Sequence, residues 1–405
     1  MKKKLLDYFI KYVKIDTMSM EDQNTIPSTK KQFDLAHVLV NDLKELGLED
    51  IKPTENCFVT AVLKSNCNSN LHIGFIAHMD TIPGFSGTNV KPNVIENYDG
   101  NTVKLKGIEL NPKQFPFLTK LKGKTLITTD GTTVLGADDK AGVANIMAML
   151  YYFINNPSIP HVNIHVAFTP DEEIGGGIDA FDIKGFGCDF AYTVDGGDYK
   201  DVEYECFNAA SAKVTFKGLD IHPGSAKGQM KNASLIAMEF NSLLPINERP
   251  EFSDGYDGFN HLCYMEGEVG NASLVYILRN HNKGILNRQK NDFINAMEFI
   301  NKKYGDDTCL VTITDSYSNM AEKIMEDPRC LNRAYEAIKK AGFIPSSTPI
   351  RGGTDGANLT KRGLNTPNLG TGGYNCHGPY ECACLEEMEN VCHILIEIAK
   401  DDCGI

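Results

Sequence analysis

A chain of 405 residues has room for two domains and a sizeable buried core. Its 42% hydrophobic and 23% charged residues are those of a soluble globular protein, and a formal net charge of -13 argues against nucleic acid or an anionic membrane as its main partner. No stretch approaches the ~18 apolar residues of a membrane span.

From Met1 to Val13, lysines precede Leu5, Leu6, Phe9 and Ile10. Asp7 and Lys11 interrupt the apolar run that a signal peptide needs, and the spacing predicts an amphipathic helix instead. The expected location is the cytoplasm. The 12 cysteines are scattered with no C-x-x-C pair, and the nearest two, Cys382 and Cys384, lack the second pair of a zinc knuckle. Reduced thiols packed as small hydrophobes are therefore expected.

Three short apolar runs then end in polar residues. Leu71–Ala77 leads into His78, Val162–Phe168 into Asp171, Glu172 and Glu173, and Phe190–Val194 into Asp195. Helical patterns such as Ala141–Phe153 lie between them. Strands alternating with helices predict an α/β fold with a mostly parallel sheet, whose ligands gather at the carboxyl ends of the strands. After Phe207 the texture changes: strands near Ser211–Lys217, Ser273–Leu278 and Cys309–Thr314 are separated by helices near Asn232–Leu244 and Ile285–Tyr304. This predicts a smaller inserted α/β lid domain at 208–318, between the two parts (1–207 and 319–405) of a catalytic domain.

Five segments carry candidate chemistry: HMDT at His78–Thr81, GADDKAG at Gly136–Gly142, TPDEE at Thr169–Glu173, VDGG at Val194–Gly197 and NCHG at Asn375–Gly378. Singly, each is the kind of turn or strand end found without any function. In this order they combine histidine nitrogens with carboxylates, a donor set suited to divalent first-row metals.

With these motifs the chain resembles the tripeptide aminopeptidases of the M20 metallopeptidase family. The likeness extends to FNAAS (Phe207–Ser211), HPGSAKG (His222–Gly228), DSYSNM (Asp315–Met320) and IRGGTDGA (Ile350–Ala357). It implies two divalent ions, zinc first, with cobalt and manganese as alternatives. One ion would take His78, Asp195 and a shared Asp138; the other would take Asp138, Glu173 and His377. Asp138 rather than Asp139 is implied as the bridge because the family's bridging aspartate lies two residues before the lysine, here Lys140, and is followed by a cis peptide bond. Glu172 fits the general base that takes the attacking water's proton and returns it to the leaving amine. Asp80 would hold the second ring nitrogen of His78. His222 is implied as a contact for the substrate carbonyl or oxyanion, and Arg279 and Arg351 as partners for the peptide's carboxylate. Cys376 stands where an aromatic residue is usual, and Gly175–Gly177 lacks a basic residue often found there.

The function implied is hydrolysis of the first peptide bond of tripeptides, with short peptides as the partners and a homodimer left open. The rivals are a dipeptidase, carboxypeptidase or acyl-amino-acid deacylase of the same family, and a non-catalytic peptide binder on the same scaffold.

Overall fold

The computed structural model describes residues 1–401. It divides the chain into two compact units: Met1–Tyr204, Glu322–Thr348 and the segment from Thr354 onward form one; Glu205–Ala321 and Pro349–Gly353 form the other. Among the described residues no helix is long and apolar enough to cross a membrane.

The first unit is built on a seven-stranded sheet. Its four central strands, in spatial order Asn163–Thr169, His72–His78, Phe190–Gly196 and Asn368–Gly370, run parallel, while Val59–Leu63 on one side and Val202–Glu203 on the other are antiparallel to their neighbours. The strands His72–His78 and Asn163–Thr169 are buried at every residue but the first, on both faces, as central parallel strands must be. The register pairs His78 with Thr169 and Ile76 with Thr193, so three neighbouring strands deliver their last residues to one edge.

The helix Ala137–Asn155 packs against this sheet and is buried along almost its whole length. The N-terminal helix Lys2–Val13 lies against it through Leu5, Tyr8, Phe9, Tyr12 and Val13, the stripe expected from helical spacing. The C-terminal helix Leu385–Ala399 covers it from another side.

The second unit carries a four-stranded sheet in the order Phe259–Gly267, Asn271–Asn280, Asn208–Lys217, Cys309–Asp315, with every pairing antiparallel. Alternate residues of its central strands (Ala210, Ala212, Val214, Phe216 and Ala272, Leu274, Tyr276, Leu278) face a core closed by Ile236, Ala237 and Phe240 of the helix Ala233–Leu243 and by Leu286, Phe293 and Ile300 of the helix Lys283–Tyr304. This period of two is what made those strands legible. The strand Phe259–Gly267 is absent from the sequence reading because it is an edge strand, largely exposed, with a register shift between Leu262 and Tyr264 that spoils any alternation.

Two features depart from expectation. Pro349–Gly353, placed by the sequence within the 319–405 part, groups with the second unit. Cys67 is disulfide-bonded rather than a reduced thiol, whereas ten other cysteines are free.

Gly142 is where the long helix comes closest to the sheet: a Cβ there would lie 1.9 Å from the Val194 carbonyl oxygen and 2.4 Å from Asp139 Oδ1. The helix or strand must move to admit even one methyl group. Gly142→Ala should cost ~1–3 kcal/mol and lower the thermal midpoint of the metal-free protein by several degrees. An unchanged midpoint would show that this approach is not a constraint.

Candidate metal centre

The site is assembled at the carboxyl edge of the parallel strands. His78 ends one strand, Asp195 is the penultimate residue of its neighbour, and beyond Thr169 the chain turns through Asp171, at φ 58°, into the short turn Glu172–Ile174. Asp138 enters from the start of the long helix, where the Asp138–Asp139 peptide bond is cis, as the resemblance implied. His377 enters from a loop in which both Asn375 and His377 have positive φ.

Asp138 lies between the two histidines. Its Oδ1 is 2.9 Å from His78 Nε2 and its Oδ2 is 3.1 Å from His377 Nε2. His78 Nε2 is also 3.5 Å from Asp195 Oδ1, and His377 Nε2 is 3.0 Å from Glu173 Oε2. Two histidine–carboxylate clusters thus share one aspartate, one oxygen each. His78, Asp138 and Glu173, and likewise His78, Glu172 and Asp195, bring one donor atom apiece within 4.8 Å of one another. Donors spaced in this way suit ions held at ~2.0–2.2 Å, and imidazole with carboxylate is a donor set for zinc, cobalt or manganese. The residues present fit a pair of divalent ions. Glu172 stands in the second set beside Asp195, within reach of the ligands.

Several acids position these groups. Asp80 has one oxygen 3.3 Å from His78 Nδ1, and its two oxygens accept the backbone N–H groups of Glu172 (3.0 Å) and Glu173 (3.2 Å). It therefore ties the histidine to the double-glutamate turn. Three further acids were not singled out in the sequence. Asp139 accepts the N–H groups of His78 (3.2 Å) and Gly142 (3.1 Å). Glu381 accepts those of Leu135, Gly136 and Asp138 (2.7, 2.8 and 3.0 Å), fixing the turn that presents Asp138. Asp171 accepts the Ser28 N–H, the Ser28 hydroxyl and the Gln32 amide, anchoring the start of the glutamate turn. Each lies within four residues of an expected ligand. Residue type alone does not tell which acid of such a pair faces a metal and which faces backbone; for Asp138 and Asp139 only the family resemblance made that choice.

Crowded carboxylates shift one another. Burial and then the Asp195 charge hold the Glu172 carboxyl well above its ordinary range, and burial lifts Asp195 to about 6. Burial would also raise Asp138, but hydrogen bonds from His377 and His78 outweigh it and hold that group low. Bonds to Asp138 and Glu173 push His377 up to about 10. His78 is raised well above its usual value, because Asp195, Asp138 and Asp80 overcome the opposing effect of burial. Burial lifts Glu381, Asp355 and Glu203 each to about 7. Lys140 donates to the Ile15 carbonyl at 2.7 Å, and burial brings its amine down to about 8.

The remaining candidates belong to the second unit. His222 is exposed, and its Nδ1 accepts the Gly224 N–H at 3.1 Å. Arg279 donates through Nη1 to the carbonyls of Ala210 and Leu278 and lies over the Tyr317 ring. Arg351 donates to the carbonyls of Gly255 and Asp257 and to the Ser253 hydroxyl. Both arginines thus bond to their own unit's backbone rather than to a carboxylate.

The model of "Peptidase family M20/M25/M40" matches residues 133–401. A protein named Peptidase T from Alkaliphilus oremlandii is 50% identical over 404 residues, covering 98% of this chain and 99% of its own. Among solved structures, the aminopeptidase PepT of Bacillus cereus superposes with a TM-score of 0.79 at 21% identity, covering 98% of each chain. A tripeptidase of Staphylococcus aureus gives 0.78 at 22% identity, covering 99% of this chain and 98% of its own.

Two raised histidines make metal loading a proton-releasing event. Below about pH 10 His377 holds its extra proton in the metal-free protein, and His78 is raised in the same direction; both must lose it to bind a metal. Metal affinity should climb with pH through the neutral range. Calorimetric titrations in two buffers of different ionisation enthalpy should give different apparent heats. Identical heats would contradict protonated histidines at the site.

Proposed function

The chain belongs to peptidase family M20/M25/M40, and from that premise we propose that it is a two-metal aminopeptidase that removes the N-terminal residue of tripeptides. The observation that carries this reading is Asp138, shared between His78 and His377 with one oxygen for each. His78, Asp138 and Asp195 would hold one ion, and Asp138, Glu173 and His377 the other, with zinc the proposed metal. Such a pair, when bound, polarises the scissile carbonyl and lowers the pKa of water.

The chain's own groups do the rest. Glu172, placed beside Asp195 and His78, takes a proton from the attacking water as its oxygen bonds to the carbonyl carbon. It then delivers that proton to the amine as the C–N bond breaks, leaving a free amino acid and a dipeptide. Asp80 keeps His78 and the Glu172 turn in register. The inserted unit is the proposed lid, with His222 as the contact for the carbonyl or its oxyanion. Arg351 is already engaged through both terminal nitrogens, so Arg279 is the proposed partner of the substrate's carboxylate. Ten free thiols suit a reducing compartment, with the Cys67 disulfide the exception, and the cytoplasm is the proposed place of action.

Neighbouring glutamates separate the roles. Glu172→Gln should keep both ions by elemental analysis and lose roughly 10²–10⁴ in kcat, whereas Glu173→Ala should lose metal. The reverse pattern would mean that base and ligand have been exchanged. Length selection has its own test: amidating the C-terminus of a good tripeptide should lower kcat/KM at least ~10-fold, about 1.4 kcal/mol, and Arg279→Ala should erase that difference. Equal cleavage of free and amidated tripeptides would remove the carboxylate clamp while leaving the hydrolase in place.

A further inference from the structure

We propose that Glu203 is the residue that holds the substrate's free α-ammonium; the inference rests on the aminopeptidase reading above. An enzyme that cleaves after the first residue must recognise a cation two bonds from the carbonyl carbon under attack. Its partner must be an acid close to the ligand set and not already used there. Asp138, Glu173 and Asp195 are the proposed ligands and Glu172 the base, while Asp80, Asp139, Asp171 and Glu381 each have both oxygens engaged in hydrogen bonds. Two acids remain near Asp195. Asp355 is 4% exposed and takes the Thr169 hydroxyl, so it is closed off from a substrate. Glu203 is only partly buried.

Its placement suits the task. Glu203 lies on the edge strand Val202–Glu203, opposite Asn368, and its side chain reaches back over the turn that directly follows Asp195. There Oε1 accepts the Gly197 N–H at 3.3 Å. A Cβ on Gly196 would lie 2.9 Å from Oε2, and one on Gly197 3.5 Å from Oε1, so the glycines after the ligand make room for the carboxylate. Asn368 also donates a hydrogen bond to it, but the charges acting on it come from Asp201 and Asp195, both negative, and among the described residues no lysine, arginine or histidine forms an ion pair with it. A partly buried carboxylate without a cation is unfavourable by itself. A substrate ammonium supplies the missing charge and a charge-assisted hydrogen bond. A peptide with a blocked N-terminus supplies neither and leaves the acid's charge uncompensated, the situation in which polar sites discriminate most strongly.

Glu203→Gln preserves the size of the side chain and an acceptor for the Gly197 N–H while removing the charge. The test compares leucine hydroxamate with 4-methylpentanohydroxamate, which carries the same chelating group without the amine. Their affinities for the zinc-loaded wild type and variant are measured by calorimetry alongside tripeptide turnover. The wild type should bind the amine-bearing probe at least ~10-fold more tightly. E203Q should lose that preference with little change for the other probe, and Glu203→Asp should recover part of it. Equal weakening of both probes by E203Q would reduce Glu203 to a structural role, and a preference that survives E203Q would place the ammonium elsewhere. Either result overturns the assignment while wild-type tripeptide cleavage stands; absence of that cleavage would instead overturn the aminopeptidase reading.

Discussion

The site depends on the sharing of one carboxylate by two histidines. Asp138 faces His78 with one oxygen and His377 with the other, and Glu172, Glu173 and Asp195 crowd the same edge. Burial first, and then like charges at such spacing, disfavour ionisation, which is why Glu172, Glu173 and Asp195 are all raised while Asp138, bonded by both histidines, is held low. Two imidazoliums offset only part of this excess. Two divalent cations would offset it fully, so the arrangement costs least when loaded.

A set of acids around the site keeps that crowd in place, and each of them spends its charge on backbone. Asp139 spans from His78 to Gly142, Glu381 clamps the turn before Asp138, and Asp171 pins the glutamate turn to Ser28 and Gln32. Carboxylates that accept two or three N–H groups are rigid brackets, and rigidity in this layer is what fixes ligand directions to fractions of an ångström. Glu203 differs from these acids in being only partly buried, with a single backbone N–H on one oxygen, so a cation brought by a substrate can reach it.

Much of this was legible in the sequence for a physical reason. Parallel strands buried on both faces read as largely apolar runs, so the residues after Ala77, Phe168 and Val194 were expected to meet at one edge. The alternation in Asn208–Lys217 and Asn271–Asn280 marked half-buried strands of a second unit equally well. Other features depended on partners distant in the chain. Pro349–Gly353 joins the second unit because the Ile350 N–H reaches the Glu205 carbonyl and Arg351 reaches residues 253–257, contacts that no local pattern encodes. Asp138 and Asp139 are identical as letters, and only the turn between them sends one carboxylate to the histidines and the other to backbone. Glu203 had no motif around it at all; its meaning comes from the Gly196–Gly197 turn it overhangs.

Asp138 should bridge two ions. Anomalous diffraction from zinc-loaded crystals, collected on both sides of the zinc absorption edge, tests it directly. Two peaks ~3.5–4 Å apart are expected, flanking the Asp138 carboxylate, with His78 and Asp195 on one and Glu173 and His377 on the other. A single peak, or two peaks that do not share Asp138, would contradict it.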